Sequence, residues 1–308
     1  MAARRRLAHV LLLLQALVGC SGGKLVAVVG ASGNVGKLVA LRLADSCNVR
    51  AVVRDKSRVA AFLDRPNIEL VEADVSGERA ALQAALAGAS TVVVCTGTTA
   101  FPTKAWSTTE EASVTGTVLS ALVDNGLDVK AALRALDARG LNTPENVDNR
   151  GVKAILDAWQ AGPRAPGPRR FVLMSSIGVT KRDGFPFKIL NACGVLDAKA
   201  AGEAHVVAAA AAHGFAYSIV RPGQLFGGPY DNNYYLGTLF QLDKDAATQG
   251  VELARGDTLL GDTLRSTLAE VLARVVELDA PSGCDFTVVN QKGTPPSADE
   301  VARRLRAV

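Results

Sequence analysis

The sequence predicts an α/β fold, a doubly wound parallel sheet forming one domain with a helical insert. Three observations carry this. Short apolar runs rich in valine recur along the chain, each the length of a strand buried on both faces. Between them lie segments whose apolar residues follow helical spacing. A glycine-rich turn joins the first run to the first helix. With 308 residues and 48% hydrophobic content, the chain can bury the core such a sheet needs.

The first run is Leu25 to Val29, and Gly30-Ala31-Ser32-Gly33-Asn34-Val35-Gly36 follows it directly. Lys37 to Ala44 then reads as a helix with an apolar stripe. Strand, glycine loop and helix in this order form a dinucleotide fingerprint. Gly30 serves the tight turn, Gly33 a close approach of backbone to pyrophosphate, and Gly36 close helix packing. Ser32, Asn34 and Val35 complete the loop, and the helix N-terminus offers N–H groups to the phosphates.

Asn48 to Arg54 is the second strand. Arg54 stands eighteen residues after Gly36, where a carboxylate would hold the ribose 2′-hydroxyl of NAD. A basic residue there, with Lys56 and Arg58 close behind, favours a 2′-phosphate and so NADP(H). The third strand, Ile68 to Val71, leads to Asp74 and Val75, expected at the adenine. A helix over Glu78 to Ala87 precedes the fourth strand, Thr91 to Cys95. Thr96-Gly97-Thr98-Thr99 at its carboxyl end is expected beside the nicotinamide ribose, in the switch-point crevice.

Residues 107–141 break the rhythm. Val114, Val118, Leu119, Leu122 and Val123 have helical spacing up to Asp124-Asn125-Gly126, and a second helix runs from about Asp128 to Arg139. The pair reads as a helical hairpin beside the crevice: a lid, a protein-partner surface or an error in the reading frame. Pro144 to Gln160 is the next helix, Arg170 to Met174 the fifth strand, ending at Ser175-Ser176. A long helix lies within Ile189 to His213 and stops at Gly214. Tyr217 to Val220 is the sixth strand, running into Arg221-Pro222-Gly223. A helix over Leu268 to Leu278, a last strand from Cys284 to Val289 and a short helix begun by Ser297 close the chain.

The first twenty residues have a different character. Arg4, Arg5 and Arg6 precede an apolar stretch from Leu11 to Val18 and small residues from Gly19 to Ser21. This has the form of a secretory-type signal, too short for a comfortable membrane span. Leu17-Val18-Gly19-Cys20 also has the look of a lipoprotein box. The three arginines supply most of the net charge of +4, so no electrostatic case for nucleic acid remains. Cys20, Cys47, Cys95, Cys193 and Cys284 show no regular spacing and read as core thiols, not a disulfide framework. A signal-like leader on a reduced body suits an organelle, with the secretory pathway as the alternative. The division expected is a leader over 1–20 and a nucleotide-binding domain over 24–308, its substrate-pocket region at 222–308, with no stable membrane span once the leader is removed.

The pieces from Gly30 to Gly36, Cys95-Thr96-Gly97-Thr98-Thr99-Ala100-Phe101-Pro102, Asn142-Thr143-Pro144-Glu145-Asn146-Val147-Asp148, Ser175-Ser176-Ile177-Gly178-Val179-Thr180-Lys181 and Arg221-Pro222-Gly223 together resemble an atypical short-chain dehydrogenase/reductase. The likeness is to the NAD(P)-binding, NmrA-like group, nearest its plastid members in plants and algae, and covers most of residues 24–290. It implies a Rossmann fold and NADP(H), with Pro222 among the cofactor contacts, and leaves the substrate open. The family's Tyr-x-x-x-Lys pair is incomplete. Lys199 fits the lysine, as a ribose contact and catalytic group, with Glu203 one turn on as an expected partner, but Val195 stands where the tyrosine belongs. Ser175 and Ser176 remain candidates to orient a carbonyl. Two functions follow: an NADPH-dependent reductase of a quinone-, flavin- or carbonyl-type small molecule, with Leu225 to Leu239 in its pocket, or a non-catalytic NADP(H)-binding redox sensor or assembly factor.

Overall fold

The computed structural model describes residues 24–108, 114–227 and 248–308. The leader and most of the stretch from Leu225 to Leu239 lie outside these residues. Within them, eight strands form one sheet. They are β1 (Leu25–Val29), β2 (Asn48–Val53), β3 (Ile68–Glu72), β4 (Thr91–Val94), β5 (Arg170–Met174), β6 (Ala216–Pro222), β8 (Gly250–Arg255) and β10 (Cys284–Gln291). Two short strands, β7 (Gln224–Phe226) and β9 (Asp262–Leu264), pair beside it. The sheet order is β3-β2-β1-β4-β5-β6-β10-β8. From β3 to β10 every neighbour is parallel.

The doubly wound sheet is the one expected, parallel throughout except at one edge, where β8 runs antiparallel to β10, from Phe286 opposite Arg255 to Gln291 opposite Gly250. An edge strand has a ladder on one side only, so it needs no buried crossover to reach its place. The continuous apolar run that marks a central strand is missing in Gly250-Val251-Glu252-Leu253-Ala254-Arg255, so the sequence pattern does not announce this strand.

β1 shows why the sheet sits between two layers. Val26 and Val28 face one side, Ala27 and Val29 the other, and all four are buried. Against the first side pack α1 (Gly36–Leu43), α7 (Arg265–Glu277) and the terminal α8 (Ala298–Ala307), through Leu43, Leu272 and Leu305. Against the second pack α2 (Arg79–Leu86), α5 (Val152–Ala161) and the long α6 (Val195–His213), around Trp159, Phe171 and Phe215.

The expected hairpin is present as α3 (Val114–Asp124) and α4 (Val129–Ala138). It has its own small core of Trp106, Val114, Ala121, Ala132 and Leu136. Asp128 caps α4 by accepting the N–H of Ala131 at 3.0 Å. Another departure lies just downstream. The predicted helix from Pro144 begins as a π-helix over Glu145–Gly151 and becomes α-helical only at α5. Such wide turns are uncommon and gather at functional sites.

No helix among the described residues is long and apolar enough to cross a membrane.

Candidate functional site

The strand order reverses between β1 and β4, and a cleft opens there at the carboxyl ends of the strands. Its floor and walls come from Gly30, Ser32 and Gly33 after β1, Arg54 after β2, Asp74 and Val75 after β3, and Thr96, Gly97 and Thr98 after β4. Nine sequence-predicted residues from four separate loops thus share one cleft. Asn34, Val35 and Gly36 sit behind it at the start of α1. Lys56 is exposed on the turn after β2, and neither it nor Pro222 is among the lining residues.

The glycine loop is built to leave space. Gly30 has φ +80°, a left-handed conformation that L side chains rarely adopt. A Cβ on Gly36 would lie 2.2 Å from the Gly30 carbonyl oxygen, so α1 can start this close only without one. Neither a capping side chain nor an acidic residue in the first turn occupies the N-terminus of α1. At the floor, the Thr96 hydroxyl is buried without a hydrogen-bond partner. An uncapped positive helix end and an orphaned hydroxyl in one apolar-walled cleft fit an anionic ligand that also carries hydroxyls, which is the chemistry of a dinucleotide.

Arg54 is exposed at the cleft mouth, and its Nη1 donates to Asn142 Oδ1 across the opening at 3.4 Å. Asn142 in turn ties the hairpin base to the cleft. Its Nδ2 donates to Ser107 O at 2.6 Å, and its carbonyl accepts from the Thr98 hydroxyl at 3.0 Å. Asp74 Oδ1 accepts both the N–H and the hydroxyl of Ser76, at 2.9 and 2.7 Å, which fixes the turn after β3. Cys95 also lines the cleft, and burial pushes its thiol up to about 12, so it is inert there.

Lys199 lies on α6 one turn after Val195. Its Nζ donates to Asp148 Oδ1 at 2.7 Å, and the Thr98 N–H donates to Asp148 Oδ2 at 3.3 Å. Burial raises the Asp148 carboxyl above its usual range, and the Lys199 ammonium acts against that rise. Close packing makes the pair possible: a Cβ on Gly202 of α6 would be 2.3 Å from the Asp148 carbonyl oxygen. Lys199 therefore takes its partner from the π-helical segment, and Glu203 is not that partner.

Glu203 instead faces β6. It accepts from Arg221 Nη2 at 2.6 Å and Nε at 2.9 Å, while Arg221 Nη1 also reaches Asp285. Ser175 donates its hydroxyl proton to Glu203 Oε1 at 2.5 Å. That proton is committed to a buried network, which leaves Ser175 without one to offer a carbonyl. Ser176 donates to its neighbour Ile177 O at 3.1 Å and is half-buried. Val195 is buried with Ile177, Val179, Phe187 and Leu196 in an apolar plug, so nothing at its position carries a proton.

Sequence reasoning gave Asp148 no role, although a signal was there. Asp148 falls on the same helical stripe as Val152, Ile155 and Trp159, the face that packs on the sheet. A lone carboxylate on an apolar stripe needs a buried partner.

The NAD(P)H-binding family matches this chain over residues 30–279. The chain belongs to that family. Its cofactor class is thereby NAD(P)H. Among solved structures it is similar to the oxidoreductase YlbE from Lactococcus lactis, with 17% identity, a TM-score of 0.58, and 92% of this chain and 96% of that one covered. ChuY, an anaerobilin reductase from Escherichia coli O157:H7, is 15% identical with a TM-score of 0.53, covering 89% and 100%. A short-chain dehydrogenase/reductase from Veillonella parvula, solved in complex with NADP, is 11% identical with a TM-score of 0.53, covering 89% and 99%. At these identities the likeness is one of fold. No curated protein matches the chain.

Proposed function

We propose that the chain is an NADPH-dependent reductase of a small molecule of the quinone, flavin or carbonyl class, with acceptors that exchange protons readily with water favoured. The observation that carries this is the buried Lys199–Asp148 pair beside the nicotinamide end of the cleft, one turn from Val195. When bound, the reduced nicotinamide supplies the hydride, and the protein supplies position and electrostatics.

The residues divide the work along the cleft. Gly30, Gly33 and the N-terminus of α1 receive the pyrophosphate. Arg54 meets the 2′-phosphate, with Lys56 adding positive charge nearby, and Asp74 and Val75 border the adenine. Thr96, Gly97 and Thr98 would run beside the nicotinamide ribose, and Lys199 would be its hydrogen-bond donor. Without a tyrosine, a carbonyl acceptor lacks the strong general acid of the short-chain dehydrogenases, and its reduction is slowed by ~10²–10⁴-fold. The test is NADPH consumption across a panel of quinones, flavins and aldehydes. Turnover of quinones or flavins well above aldehydes supports the reading; no turnover with any acceptor overturns it.

A second reading has its own support. The apolar plug at Val195 and the committed Ser175 proton both suit a protein that binds NADP(H) without turning it over. On the hairpin, Leu119, Val123 and Leu127 are large, apolar and exposed, which suits a protein partner there. A cleaved leader and an organelle destination belong to the same proposal, and N-terminal sequencing of the native protein, with an end near Ser21 to Lys24, tests the leader.

A further inference from the structure

Two buried acid–base pairs each have one member on α6, and they differ in what surrounds them. Glu203 and Arg221 are closed in by Ser175 and Asp285. Asp148 and Lys199 lie behind Gly97, which lines the cleft, while neither of the pair lines it. The Lys199 side chain is 10% exposed and that of Asp148 3%. A methyl group on Gly97 would lie 3.6 Å from both Asp148 Oδ1 and Lys199 Nζ. That is ordinary contact distance, so a methyl group would fit there without a clash, and Gly97 leaves no side chain between the cleft wall and the pair.

Resting on the reductase reading, we infer that Asp148 is the positioning residue that holds Lys199 as an ammonium aimed at the cleft, and that Gly97 is the opening through which this ammonium protonates the reduced substrate. The balance is simple. The hydride and its electron pair come from the reduced nicotinamide. The proton leaves Lys199 Nζ for the substrate oxygen or nitrogen that gained negative charge, the amine takes a proton back from water, and Asp148 stays a carboxylate throughout.

The neighbours leave Asp148 as the charged group that faces Lys199 Nζ. On α6 itself, Asp197 is paired with Arg182 at 2.8 Å and Glu203 with Arg221. The loop after β4 brings only Gly97 and Thr98, which are uncharged. From the π-helical segment comes Asp148, while the next residue, Asn149, faces His205 at 2.9 Å. Val195 supplies no competing phenol.

The test labels lysines with an amine-acylating reagent at one fixed pH and reads Lys199 by peptide mass spectrometry. It needs no turnover. Asp148→Asn keeps the shape and removes the charge that holds the ammonium, and labelling of Lys199 is expected to rise severalfold. Gly97→Ala is expected to slow the labelling, because it covers the opening. In Asp148→Asn kcat should fall on whichever panel acceptor turns over fastest. Unchanged labelling in Asp148→Asn, or wild-type labelling in Gly97→Ala, overturns the positioning role. If Asp148→Asn shows no cooperative melting, Gly97→Ala decides alone. A wild type that consumes NADPH with no acceptor overturns the reductase reading and the proton-donor role with it, which the labelling result separates from a failure of positioning.

Discussion

Replacing Arg54 by aspartate tests the cofactor assignment at its most exposed point. Arg54 lies at the cleft mouth, and its side-chain bond in the structure is the 3.4 Å contact to Asn142. Little of the fold depends on it, so the change in stability should stay within about ±0.5 kcal/mol, as for other surface substitutions. The effect on binding should be much larger. A hydrogen bond to a charged group contributes ~1.5–3 kcal/mol, which is about ten- to 150-fold in affinity. Arg54→Asp removes that contact from NADPH and offers NADH a carboxylate for its ribose hydroxyl. Fluorescence titration of both nucleotides against wild type and variant measures the difference directly. Wild type should prefer NADPH, the variant should lose most of that preference, and added salt should shrink it in wild type because the contact faces solvent. Lys56→Ala, off the cleft wall, should do much less. Equal wild-type affinities for NADPH and NADH would refute the reasoning, as would a variant that keeps its preference.

The remaining predictions concern packing and burial. Gly36→Ala puts a Cβ 2.2 Å from the Gly30 carbonyl oxygen, so the loop must move and NADPH affinity, read by the same titration, should collapse. Glu203→Ala strands the Arg221 charge and the Ser175 hydroxyl; urea unfolding should show a loss of about 3–5 kcal/mol, while a loss under about 1 kcal/mol would mean that Asp285 alone suffices for Arg221. Cys95 holds its proton until about pH 12 because burial disfavours the thiolate, so thiol reagents at pH 8 should leave it unmodified and leave nucleotide binding intact; rapid modification there would show that the cleft floor is wetter than its packing implies. Val195→Tyr forces a ring into the plug formed with Ile177, Val179 and Phe187. Overpacking should cost ~1–3 kcal/mol, seen as a lower Tm, and a variant as stable as wild type would mean that the ring turns into the cleft.

The parts of the site legible in the sequence are those governed by local rules. The turn after β1 needs glycines wherever it occurs, and the end of β4 falls at the switch point whenever strands and helices alternate. The hairpin showed itself because Val114, Val118, Leu119, Leu122 and Val123 keep helical spacing up to Asp124-Asn125-Gly126. What stayed hidden depends on partners far away in the chain. Lys199 and Glu203 are four apart on one helix, and the local rule pairs them for a few tenths of a kcal/mol. Both are buried, and a buried charge needs a desolvated partner of opposite sign, an effect several times larger. Each therefore takes a tertiary partner, Asp148 and Arg221, that no spacing on α6 reveals. β8 was hidden for a related reason: an edge strand is half-exposed and gives a weak periodic signal.

The two pairs also show what burial alone does and does not explain. Exchanging a buried ion pair for apolar side chains of similar volume is often neutral or stabilising, so neither pair is required for a tight core. Arg221 and Glu203 gain further bonds to Ser175 and Asp285, join α6 to β6 and β10, and so fix how the long helix lies on the sheet. Asp148 and Lys199 gain one additional bond, from the Thr98 N–H at 3.3 Å. Their setting is costlier for the carboxylate, whose pKa burial raises, and it joins α6 to the π-helical segment behind Gly97, which lines the cleft. A stabilising pair would be better placed under a side chain. A pair that must exchange a proton with something in the cleft cannot be covered, and the geometry around Gly97 satisfies the second requirement at the expense of the first.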